Sequence, residues 1–218
     1  MRKLILSLMI AAASAVPVLR ALAADPVSVP SDTVALGPQE LMQKVAQDLL
    51  DDLNANREAL SKDPSGLRAL VDKHLLPHFD TDYAARLVLG KHWKDANPEQ
   101  RQRFVDAFYK SLLENYGAAL TEFTADRMRV LPFQGDAAAD RATVRTEVKR
   151  SDGTRVPVNY SMRKTDDGWK AWDVTIEGIS YVKNFRTQYG AEIDEKGLEV
   201  VIRRLETEGV KPAPKKSA

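Results

Sequence analysis

Cysteine is absent from all 218 residues. That excludes a disulfide scaffold, a thiol nucleophile and any thiolate-bound metal, so stability has to come from a packed core. Histidine is scarce, with only His74, His78 and His92. The first two have the i, i+4 spacing of a helical metal pair, but Pro77 interrupts the helix and no carboxylate completes a ligand pattern. They read as structural or surface histidines, and no metal site is expected. Glycine-rich phosphate loops are missing. So is any surplus of charge: 32 basic residues face 31 acidic ones, and setting aside Arg2, Lys3 and Arg20 leaves 29 to 31. A basic surface for nucleic acid is therefore not expected. After residue 23 no apolar run approaches the length of a membrane span.

What is present begins with a leader. Arg2 and Lys3 precede the apolar run Leu4 to Leu19, and Ala21-Leu22-Ala23 is a small-residue cleavage site. Residues 1–23 therefore read as a secretory signal peptide. Residues 24–36 are aperiodic and read as a linker, 37–209 as a single domain, and the Pro- and Lys-bearing 210–218 as a disordered tail.

Within the domain, helix signals come first. Gly37-Pro38 opens a helix with Leu41, Val45, Leu49 and Leu53 on one stripe, and Asp63-Pro64 opens a second with Leu67, Leu70, Val71 and Leu75. A short third lies between Asp80 and Leu89. Asn97-Pro98-Glu99-Gln100 is a cap, a first-position proline and a capping-box glutamine, and the helix that follows is expected to reach about Glu122. Phe104, Phe108, Leu112, Tyr116 and Leu120 give it an aromatic face. From Arg127 the period falls to two: Met128 to Leu131, then Ala142, Val144, Thr146 and Val148, then Val156, Val158, Tyr160 and Met162 after an Asp152-Gly153 turn. The fourth strand alternates Trp172, Val174 and Ile176 against Ala171, Asp173 and Thr175, and a helix follows with Tyr181, Val182, Phe185 and Tyr189 at helical spacing. A last helix carries Leu198, Val201, Ile202 and Leu205. The fold class is α+β: a four-stranded antiparallel meander with one face covered by six to seven helices.

Reactive groups do not converge. Ser180 sits at a strand-to-helix turn but lacks the second glycine of a nucleophile elbow, and no histidine follows it in the chain, so it reads as a helix cap. Asp173 beside Trp172 is either a carboxylate general base in a buried setting or an ordinary hydrogen-bond acceptor. No catalytic residue is expected. The remaining signal is apolar bulk, which reads as core or as the wall of a ligand cavity.

Several phrases together resemble the MlaC-type family, also called toluene-tolerance auxiliary proteins. They are Leu87-Val88-Leu89-Gly90-Lys91-His92-Trp93; Pro98-Glu99-Gln100-Arg101 with Phe104, Phe108, Leu112-Leu113 and Tyr116; Trp169-Lys170-Ala171-Trp172-Asp173-Val174; Ile176-Glu177-Gly178-Ile179-Ser180; and Asn184-Phe185-Arg186 leading to Gln188-Tyr189. The resemblance runs from about Leu41 to Leu205, and Trp172 departs from the smaller residue expected there. It implies a periplasmic phospholipid carrier with a twisted sheet of the nuclear-transport-factor-2 type. In that reading the acyl chains lie between sheet and helices, and the partners are an outer-membrane lipoprotein–porin complex and an inner-membrane ABC transporter. No cofactor is implied. With face alternation it nominates Phe104, Phe108, Leu112, Tyr116, Val144, Val158, Tyr160, Trp172, Val174, Ile176, Val182 and Phe185 as lipid-binding, with Lys183 and Arg186 near the headgroup. Two other readings stay open: a small-molecule enzyme on the same sheet, and a ligand-free interaction module.

Overall fold

The structure is a computed structural model that describes residues 32–62, 65–116, 128–136, 139–150 and 152–209. The expected leader, the tail and the stretch reaching Glu122 lie outside the described residues. The first helix, α1 (Pro38–Lys62), has Glu40 accepting from the Gly37 N–H at 3.1 Å. It is followed by α2 (Ser65–His74), a 3-10 turn at Leu76–His78, α3 (Thr81–Leu89) and the short α4 (His92–Asp95). The Asp80 carboxylate caps α3 by accepting from the Tyr83 N–H. The expected capping box opens α5 (Pro98–Tyr116): the Gln100 N–H donates to Asn97 Oδ1 at 2.9 Å and the Asn97 N–H donates to Gln100 Oε1 at 3.1 Å.

The sheet is an antiparallel meander in the order β1 (Met128–Val130), β2 (Arg141–Lys149), β3 (Arg155–Thr165), β4 (Gly168–Ile176), β5 (Ile179–Ser180). The fifth strand corrects the expected four. Glu177 and Gly178 both take positive φ, 51° and 85°, the signature of a type I′ turn, so the chain reverses in two residues and Ile179 and Ser180 pair back on Ile176 and Thr175. The reversal is too short to show as a strand in the residue pattern. β5 runs straight into α6 (Tyr181–Lys196), and α7 (Leu198–Glu208) closes the described chain.

A second departure from the expected alternation lies in β4. The register runs Met162 opposite Ala171 and then Ser161 opposite Asp173, which leaves Trp172 as the extra residue of a β-bulge. One inserted residue shifts every side chain on one flank of it to the other face. Trp169 and Ala171 thereby join Val174 and Ile176, together with Ala142, Val144, Thr146, Val156, Val158, Tyr160 and Met162 across the register, on one inner face.

Three apolar clusters hold the layers. Ala84, Val88, Phe104, Phe108, Phe185, Tyr189, Val201 and Ile202 draw α3, α5, α6 and α7 into a helical core. Leu41, Met42 and Val45 of α1 lie on Val144, Met162, Trp169 and Ala171 of the sheet. Leu49, Leu53, Leu60, Leu67 and Leu70 join α1 to α2. Phe79 packs against both of the first two clusters and bridges in parallel to Ala171 at the β4 edge. Residues 32–36, read above as linker, form a turn whose backbone at Val34 comes so close to Gly168 that a Cβ there would lie 3.0 Å from the Val34 carbonyl oxygen, and Thr33 is buried.

Candidate lipid-binding face

The nominated residues fall into two places. Phe104, Phe108, Val182 and Phe185 belong to the helical core, and Leu112 packs half-buried against it. Their rings make a closed arrangement. Phe104 stacks on Phe108 (5.6 Å) one turn along α5, Phe185 stacks on Tyr189 (5.6 Å) one turn along α6, and the two pairs meet edge to face, Phe108 against Phe185 at 5.1 Å. Offset and edge-to-face contacts of this kind add to the area they bury. Phe104 and Phe185, at 0 % and 1 % exposed, are plugs in a filled interior. Tyr116 ends the described part of α5, and its side chain lies outside the description.

Val144, Val158, Tyr160, Val174 and Ile176 share the inner face of the sheet, as the alternation predicts. That face is unevenly covered. Under α1, Val144 and Met162 are each 1 % exposed, while Tyr160, Val174 and Ile176 remain half-buried in a row across β3 and β4. Tyr160 is half-buried in that row, and burial pushes its phenol up to about 12. Trp172 is out of the row because of the bulge: its ring meets Tyr83 of α3 edge to face at 5.7 Å. The Arg163 guanidinium lies over the Tyr83 ring, 4.5 Å from its centre.

Lys183 and Arg186 are both exposed on α6. The Arg186 guanidinium lies against Gly90 at the end of α3, where a cation suits the carbonyl end of the helix. Among the described residues, neither is drawn to the half-covered row by a hydrogen bond or ion pair.

Asp173 is 4 % exposed and accepts from the Ser180 hydroxyl and from the Val182 N–H at 3.0 Å, while Ser180 Oγ accepts from the Lys183 N–H at 3.1 Å. Both side chains are engaged in starting α6, with Ser180 as the cap its position suggested. His74 Nε2 pairs with Asp52 Oδ2 at 2.7 Å, and burial lowers the pKa of His78. Among the described residues no three or more His, Asp or Glu side chains gather as a metal site, and no helix is long and apolar enough to cross a membrane. A surface groove of about 400 Å³ at the α6–α7 junction, lined by His92, Gln100, Leu198 and Glu199 among others, takes no residue from the sheet.

What the pattern missed is the packing of α1 on the sheet and the contacts of Phe79 and Tyr83 with β4. Leu41, Met42 and Val45 showed as a helical stripe, but nothing in the stripe said that it lies on the sheet. Phe79 and Tyr83 carried no signal beyond their nearness to the start of the short helix between Asp80 and Leu89.

The sequence model of the MlaC protein family matches residues 43–207. This chain belongs to the MlaC family. Among MlaC relatives, the toluene tolerance protein ttg2D of Pseudomonas putida is 32% identical over 164 residues, covering 75% of this chain and 76% of that one. The intermembrane phospholipid transport system binding protein MlaC of Haemophilus influenzae is 25% identical over 178 residues, covering 80% and 83%. The fold is similar to that of a phospholipid-binding protein from Ralstonia solanacearum solved with a phospholipid, with a TM-score of 0.74 at 23% identity, covering 80% of this chain and 97% of that one.

Proposed function

We propose that this MlaC-family chain is a periplasmic phospholipid carrier. It would take glycerophospholipid between an outer-membrane lipoprotein–porin complex and an inner-membrane ABC transporter, and so help to keep the outer leaflet free of phospholipid. Export would follow from cleavage after residue 23. The observation that carries the reading is the half-covered apolar row Tyr160, Val174 and Ile176 on the inner face of the sheet. It is supported by the phospholipid in the Ralstonia solanacearum structure and by the transport role in the name of the Haemophilus influenzae relative. Asp173 and Ser180, the residues an enzyme would use here, are engaged in capping a helix, which favours binding over catalysis.

The energetics suit the job. Two acyl chains of about 15 methylenes each, at ~0.8 kcal/mol per methylene, represent over 20 kcal/mol gross against water, so free release would be very slow. Moving them from bilayer to protein exchanges one apolar setting for another with a small net change. Direction then comes from docked partners, and transfer requires contact. Organic extraction and mass spectrometry of the purified protein should recover two-chain glycerophospholipid, and Val174→Glu, a charge set into the row, should fold and come out empty. An empty extract from the wild-type protein would overturn the reading in favour of an interaction module.

A further inference from the structure

The outer face of the sheet is a field of cations. Alternation in register puts Arg129 of β1, Arg141, Arg145 and Lys149 of β2, and Arg155 and Arg163 of β3 on the side opposite the row Tyr160, Val174 and Ile176. Glu147 is the one acid that these three strands place among them, 4.0 Å from Arg155, and the Asp80 carboxylate reaches in from the start of α3 to pair with Arg163. Six cations therefore meet two carboxylates, in a chain whose basic and acidic residues number 32 and 31. The arrangement costs the fold something. Arg141 stands directly opposite Arg163 and Lys149 directly opposite Arg155, and like charges across a strand pair repel. At the first of these pairs the Tyr83 ring, with the two guanidiniums 5.7 Å and 4.5 Å from its centre, offsets part of the repulsion. Among the described residues α1 packs on the inner side and α3 and α6 meet the sheet mainly at β4, which leaves Arg129, Arg141 and Arg155 exposed.

We propose that this outer face docks the protein on the headgroup layer of an anionic bilayer. The charge calls for an anionic partner, and the lack of apolar anchors decides its kind. The exposed large hydrophobic residues among the described ones are Val34 and Val200, and both lie outside the strands. A protein partner is held at a centre of buried aromatic and aliphatic side chains, whereas a layer of lipid phosphates attracts basic side chains through its field alone. The proposal goes beyond the carrier reading and uses the other side of the sheet, so docking does not cover the row Tyr160, Val174 and Ile176.

The test sediments the purified protein with vesicles of phosphatidylcholine alone and with vesicles of phosphatidylcholine mixed equally with phosphatidylglycerol, at low and at high salt. The protein should bind only the mixed vesicles, and high salt should release it. Arg129→Gln and Arg155→Gln, both at exposed positions, should each weaken that binding about fivefold, and the double variant about 25-fold. Lys94→Gln removes the same charge from an exposed position on α4 and should leave the binding unchanged. An equal loss in Lys94→Gln, or no preference for the mixed vesicles, overturns the face as a membrane dock. Retention on immobilised poly-glutamate without vesicle binding assigns the face to an acidic protein surface and overturns it as well. Phospholipid extracted from a protein that ignores the vesicles leaves the carrier reading standing, while vesicle binding by a protein that yields no lipid supports the dock and overturns the carrier reading alone.

Discussion

Phe104 in α5 is 0 % exposed among Phe108, Phe185 and Tyr189, whereas Tyr160, equally central in β3, is only half-buried between Val144 and Val174. Both regions draw on aromatic and β-branched residues. The difference is in reach. In the helical core α5 and α6 bring the rings and α3 and α7 pack aliphatic side chains around them, and the stacked pairs close on each other edge to face. A pleated sheet offers a shallow row of valines, and α1 covers one end of it with Leu41, Met42 and Val45. Beyond that cover, Tyr160, Val174 and Ile176 stay half-buried.

The helical core is the place to break that comparison. Phe104→Ala should cost about 3–5 kcal/mol of stability, read from the urea midpoint, because a ring is removed from a filled interior. Lipid bound per folded molecule should stay unchanged, and a parallel loss of lipid at unchanged stability would move Phe104 into the binding site. A smaller effect is expected at the seam. Asp173→Ala leaves the Val182 N–H without its acceptor and should cost about 1–3 kcal/mol, with faster amide exchange in the first turn of α6. Slower or unchanged exchange there would show that the two regions are joined elsewhere.

The smallest effect is one of pH. Burial lowers the pKa of His78 from 6.5, so the folded protein holds the imidazole neutral while the unfolded chain takes a proton first as pH falls. Its stabilising share is complete above about pH 6.5 and is lost progressively below it. The urea midpoint should therefore drop between about pH 7.5 and about pH 5.5, and the drop should be smaller in His78→Gln. An equal drop in both proteins would assign the acid sensitivity to other groups.

Much of the fold was legible because local signals were strong. The Asn97–Gln100 box, the Ser180 cap and the alternation of β2 and β3 each have a short-range physical cause. The site was legible only in part. Val144, Val158, Tyr160, Val174 and Ile176 share a face because period two is local, but the bulge at Trp172 is not written in that period. Phe104, Phe108, Val182 and Phe185 formed stripes that had to be buried against something. Whether that was the sheet or other helices depends on contacts between residues far apart in the chain, as between Phe108 and Phe185.

The reversal at Glu177 and Gly178 matters beyond the strand count. β5 occupies the outer edge of β4 along Thr175 and Ile176, and Phe79 with Asp80 occupies it at Ala171, where the Asp80 N–H donates to the carbonyl at 2.7 Å. On the far side, β1 and the Leu131 N–H, which donates to the Arg145 carbonyl at 2.9 Å, cover much of β2. Unpaired strand edges are templates on which a second copy can polymerise. The row Tyr160, Val174 and Ile176 stays half-buried on the inner face, but these edges are largely occupied, so an uncovered apolar row does not by itself open the route to fibrils.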